Sequence, residues 1–141
     1  MRVFLDFDGV LRRESSPKSR LDADCVQCFQ SAILSHAEAK VVIASTWRLV
    51  HRLDVLRKLF SPDFAARIEG ITPDLAEAEE YVRHAEVRAY LSRNGLHGMR
   101  WIAIDDDPEQ YRPDAPLIRV DPALGFDQAC SKRLQDWLST R

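Results

Sequence analysis

Short apolar runs alternate with longer stretches of helical periodicity along the chain. Val3, Phe4 and Leu5 form a run apolar on every position, as in a strand buried on both faces, and it leads straight into Asp6 and Asp8. Asp22 reads as the N-cap of a helix that buries Val26, Phe29 and Ile33 and extends to about residue 36. Residues 41–44 give a second buried strand, ended by Ser45 and Thr46. Leu49, Leu53, Leu56 and Phe60 recur at helical spacing, so the pattern predicts one helix over 47–60, stopped at Ser61-Pro62-Asp63. A weaker strand is expected over 68–71, a helix over 75–92 ended by Asn94-Gly95, and strands over 101–104 and 117–120. Asp127 caps a last helix reaching Leu138. This rhythm predicts an α/β fold: one doubly wound, Rossmann-like domain over 1–141, with about five parallel strands and helices on both faces. No repeat, low-complexity run or linker divides it.

Parallel sheets of this kind place ligands at the carboxyl ends of their strands. Three separate segments bring reactive side chains to such ends: Asp6 and Asp8, Ser45 and Thr46, and the run Asp105-Asp106-Asp107. Carboxylates crowded at strand ends repel one another and raise each other's pKa, so a cation is expected among them. The i, i+2 spacing of Asp6 and Asp8 on an extended chain turns both carboxylates the same way, as a nucleophile and an acid/base require. Gly9 supplies the backbone freedom to leave the strand sharply.

This arrangement resembles the haloacid dehalogenase superfamily, whose first motif is Asp-x-Asp-Gly after a hydrophobic strand. The resemblance runs from Val3 to about Leu138 and implies a magnesium-dependent phosphatase working through an aspartyl phosphate. It assigns Asp6 as nucleophile and Asp8 as acid/base. Ser45, or Thr46 one residue later, would hold a phosphoryl oxygen. Arg83, in Arg-x-x-Glu-Val, matches the cationic third motif better than Arg88. The fourth motif falls on Asp105 and Asp106, so Mg2+ would be held by Asp6, the backbone carbonyl of Asp8, and Asp106 or Asp105. All these ligands are oxygens, which favours magnesium over zinc. Ser45-Thr46-Trp47-Arg48 is also similar to a Ser-x-Trp-Arg pattern in a small group of these proteins linked with RNA-repair-like domains.

Size and charge narrow the substrate. Only 36 residues separate Asp8 from Ser45, and 36 separate Thr46 from Arg83, so no inserted cap domain is expected. An open site suits a nucleic-acid end or a phosphoprotein, or needs a partner or a second copy to close it. The segment 12–20 carries four positive charges and one negative on a chain of net charge −2. Arg12, with Gly9, Thr46 and Arg48, is placed among the substrate-binding residues, and the loop with Arg48, His51 and Arg52 reads either as a basic rim for a phosphorylated polymer end or as a plain solvated loop. Trp47 and Trp101 read as core residues, leaving no evident platform for bases.

The remaining features exclude rather than assign. The net charge argues against a general nucleic-acid coat. No segment has the length of a membrane span, and the N-terminus enters a core strand at once, so the cytoplasm is the expected compartment. Cys25, Cys28 and Cys130 are an odd count; Cys25 and Cys28 form a C-x-x-C, but inside a predicted helix and without a second pair, so they read as packing residues. A response-regulator receiver would carry its phosphoacceptor on a later strand, which this chain lacks. A phosphate-binding or scaffolding module without turnover is the alternative; the presence of both Asp6 and Asp8 argues against it.

Overall fold

Why the chain forms a sheet buried on both faces is visible in which side each strand residue takes. In the computed structural model, which describes residues 1–78 and 80–140, β1 (Arg2–Leu5) sends Val3 and Leu5 to one face and Phe4 to the other. The remaining strands are β2 (Lys40–Ile43), β3 (Ile68–Ile71), β4 (Trp101–Asp105) and β5 (Leu117–Arg119). All pairings are parallel, in the order β3-β2-β1-β4-β5, with Leu5 level with Ile43 on one side and Ile104 on the other. Residues following β1, β2 and β4 therefore emerge side by side at one edge of the sheet. The doubly wound parallel architecture expected from the sequence is the one present.

The two faces are covered unequally. The larger layer holds α1 (Ala23–Leu34), α3 (Pro62–Ala65) and α5 (Gln128–Ser139), packed through Phe29, Ile33, Phe64 and Leu134 on Val3, Leu5, Ile43 and Ile104. The other face carries α4 (Val82–Arg93), whose Val87, Tyr90 and Leu91 cover Phe4, Val42 and Ala103. The final helix starts as expected, with Asp127 accepting from the Cys130 amide at 3.0 Å. Asp22 does precede α1, but its carboxylate accepts from the Arg13 amide and the Ser16 hydroxyl, so it ties down the preceding loop instead of capping.

Two predicted helices are corrected. The single helix over 47–60 is instead a 3-10 turn, Thr46–Leu49, followed by α2 (Leu53–Arg57) and then α3, which begins where the sequence suggested a stop. Apolar spacing misled because Leu56 and Phe60 are core residues while Leu49 is 54% exposed. The helix expected over 75–92 starts only at Val82, because Tyr81 before it is left-handed (φ 49°). That conformation costs a non-glycine residue about 1–2 kcal/mol. The three cysteines are free, and burial pushes the Cys25 thiol up to about 11, as suits a packing residue.

Candidate active site

At the edge where β1 and β4 end, Asp6, Asp105 and Asp106 offer carboxylate oxygens within 4.8 Å of one another. Asp6 and Asp105 are buried. Arg83, in the first turn of α4, reaches into this group: Nη1 lies 3.0 Å from Asp6 Oδ1 and donates to Asp105 Oδ2 at 2.6 Å. Tyr111 Oη donates to the same Asp105 oxygen at 3.3 Å, and the Asp107 amide donates to Oδ1 at 3.0 Å. Asp105 is thus held on both oxygens. Asp106, half-buried, is the member of the trio with more access to an incoming ion.

One guanidinium does not balance three carboxylates. Burial first, and then Asp105, push the Asp6 carboxyl well above the usual range, against the pull of Arg83. Burial and Asp105 likewise raise Asp106. Burial and the same acidic neighbours raise the Tyr111 phenol, so it stays a donor. An all-oxygen, electron-rich donor set with a charge deficit fits a hard divalent cation such as Mg2+.

Asp8 belongs to a separate part of the site. The chain does not stay extended from Asp6 to Asp8, as the i, i+2 argument assumed: the amides of Val10, Leu11 and Arg12 all donate to the Phe7 carbonyl, and Gly9 turns with φ 81°. The side chain of Asp8 is 43% exposed, and its Oδ1 accepts from Arg12 Nε at 2.8 Å and Trp47 Nε1 at 3.2 Å. Its other oxygen has no such partner among the described residues. Gly9 joins the two parts, since a Cβ there would lie 2.3 Å from Asp106 Oδ2. The segments that follow β1 and β4 meet at a glycine because no side chain fits between them.

Ser45 follows β2 at the same edge, fully buried, with Oγ accepting from the Trp47 amide at 3.2 Å as cap of the 3-10 turn. Its hydroxyl proton is left over; the Thr46 side chain is exposed. Arg48 is not on a rim. It is buried, and all five of its N–H groups are used: Nε on the Thr72 carbonyl, Nη1 on those of Ala44 and Ser45, Nη2 on the Pro73 carbonyl and on Glu86 at 2.8 Å. The expected basic rim is also thinner than its composition. Arg12 is tied to Asp8 and to the carbonyls of Arg13 and Ser16, Arg13 is paired with Asp24, and Arg52 with Asp54. Lys18, Arg20 and His51 remain exposed.

The sequence missed three members of this site. Trp47 packs edge-on against Phe7 and turns its indole N–H to Asp8. Tyr111 sits under Asp105, and Glu86 carries the Arg48 clamp while accepting from the Leu75 amide at 2.9 Å. The signal for two of them was present, Trp47 in the run Ser-Thr-Trp-Arg and Glu86 in Arg-x-x-Glu-Val. Tyr111 had none.

A family model described as "HAD domain in Swiss Army Knife RNA repair proteins" matches residues 2–130. Among curated proteins and solved structures, none matches the chain.

Proposed function

The chain belongs to the HAD domain family of Swiss Army Knife RNA repair proteins, and from that premise we propose that it is a Mg2+-dependent phosphomonoesterase acting on the phosphorylated end of a polynucleotide. The observation that carries this reading is the bridge made by Arg83 between Asp6 and Asp105, with Asp106 beside them and Asp8 held apart. A nucleophile and an acid/base need different surroundings. Asp6 lies in a buried acidic group and Asp8 at its half-open edge.

In the proposed reaction the Asp6 carboxylate attacks phosphorus, forming an aspartyl phosphate as the P–O bond to the leaving alcohol breaks. The unpartnered oxygen of Asp8 delivers the proton to that alcohol, then takes one from the water that attacks the intermediate. Arg12 and Trp47 hold the other oxygen and thereby set the direction of transfer. Ser45 or Thr46 binds a phosphoryl oxygen, and Arg83 offsets charge on Asp6. A magnesium ion, which Asp6, Asp106 or Asp105 and the Asp8 carbonyl would hold, would supply charge neutralisation for the phosphoryl group. The short connections around the edge support an open site, suited to a polymer end.

Hydrolysis of nitrophenyl phosphate with and without MgCl2, with acid-quench trapping of labelled phosphoprotein, tests the reading. Asp6→Asn should abolish both turnover and trapping. Asp8→Asn should accumulate the labelled intermediate and lose about 10²–10⁴-fold in turnover. Wild-type activity in Asp6→Asn would refute the covalent mechanism, and phosphate binding without turnover in wild type would reassign the chain as a binding module.

A further inference from the structure

The face of the sheet covered by α4 leaves a cleft of about 580 Å³ between that helix and the segment leading into β5. Its size lies within the range of small-ligand sites, about 300–1,000 Å³. It is lined by Tyr81, His84 and Arg88 from the α4 side, Trp101 from the start of β4, and Arg112 and Asp114 from the opposite wall. The arginines are exposed, while the three rings are half-buried and open to the cleft.

The rings are arranged, not scattered. His84 stands edge-on to Trp101 with centroids 5.6 Å apart, and its Nδ1 accepts from the Arg112 amide at 3.3 Å. The Arg112 guanidinium lies 6.0 Å from the Tyr81 ring. Tyr81 is the one non-glycine residue with positive φ among those described, and that backbone carries its ring to the cleft. The cleft also adjoins the acidic group. Arg83, next to His84, touches Asp6 and Asp105, and Tyr111, next to Arg112, has its ring 6.3 Å from His84 and its hydroxyl on Asp105.

Flat rings with two guanidinium groups are the chemistry that grips single-stranded nucleic acid, bases by stacking and phosphates by charge. Asp114 and Glu80 at the rim add acceptors for the amino groups of bases. A phosphopeptide would use the arginines and leave the rings without partners. We propose that this cleft binds a nucleotide of the single strand whose terminal phosphate enters the Asp6 site, with Arg88 and Arg112 on its backbone phosphates and Tyr81 and Trp101 against its base. The assignment rests on the polynucleotide-end reading of that site.

The test is equilibrium binding of a single-stranded RNA octamer, phosphorylated at its 5′ or its 3′ end, to the Asp6→Asn protein, so that turnover does not intrude. Adding Arg88→Ser and Arg112→Ser should raise Kd about tenfold or more and flatten its log–log salt dependence by about 1.4, for two lost phosphate contacts. Tyr81→Asn tolerates the left-handed backbone and should raise Kd about fivefold or more with the salt slope unchanged. Unchanged affinity in the double arginine variant, with wild type still releasing phosphate from the octamer, overturns the cleft and leaves the phosphatase reading standing. Cleft-dependent binding without hydrolysis by wild type supports the cleft and removes the phosphatase reading. A phosphopeptide that binds more tightly than the octamer, and weakens with the same arginines, also overturns the assignment.

Discussion

Arg48→Met separates two incompatible roles for that residue, a surface ligand for substrate and an internal clamp. The guanidinium satisfies the carbonyls of Ala44, Ser45, Thr72 and Pro73 and the carboxylate of Glu86, with side-chain exposures of 3% and 5% for the ion pair. Removing one partner of a buried pair costs about 3–5 kcal/mol, because the other charge stays desolvated. At about 3 °C per kcal/mol for a chain of this size, Tm should fall by about 9–15 °C. Differential scanning calorimetry and urea titration measure it. Arg48→Lys should recover only part, since an ammonium has three donors for five acceptors. In the double variant Arg48→Met/Glu86→Gln the loss should be smaller than the two single losses together, by about 1 kcal/mol or more. If Arg48→Met leaves Tm within about 2 °C while KM for a phosphorylated substrate rises, the clamp argument is wrong and the rim role returns.

Two further outcomes follow from the acidic group. Gly9→Ala puts a Cβ where Asp106 Oδ2 lies and strains a backbone at φ 81°; isothermal titration with MgCl2 should show affinity reduced more than tenfold, and unchanged affinity would exclude Asp106 as a ligand. Asp6 binds its proton more tightly folded than unfolded, so without metal its contribution to stability is full below about pH 4 and lost as pH rises through its raised pKa. Asp6→Asn should therefore melt higher than metal-free wild type at pH 7–8, with the difference shrinking toward pH 4; parallel Tm–pH curves would contradict the burial argument.

Strand ends were the legible part of this chain. Runs apolar at every position identify a sheet buried on both faces, and the acidic residues that follow could only gather where that sheet ends. The segment after Ser45 was not legible, because its course is decided by one side chain. Arg48 spends its donors on carbonyls of the turn and of the β3 end, so a 3-10 turn forms where local spacing favoured a long helix. The late start of α4 has a similar origin, since Glu86 reaches back to the Leu75 amide and Tyr81 turns left-handed. The fate of Arg12, Arg13 and Arg48 was hidden for a related reason: their carboxylate partners lie from 4 to 38 positions away, and composition does not record pairing.

The two halves of the site differ in the separation that must be closed to build them. Asp8 and Arg12 meet within a single turn, whereas Asp6 and Asp105 meet only once β1 has paired with β4, roughly one hundred residues on. Closing that longer loop costs under about 1 kcal/mol more than pairing β1 with β2, since each doubling of length adds about 0.6 kcal/mol. Entropy is thus a minor obstacle, and the repulsion among carboxylates is concentrated on that one pairing. A fragment ending before Arg100 lacks β4 and keeps the Asp8–Arg12 pair without the acidic surroundings of Asp6. Any signal that needs Asp6 and Asp105 together reports closure of the whole sheet, and one that needs only Asp8 and Arg12 reports a local turn.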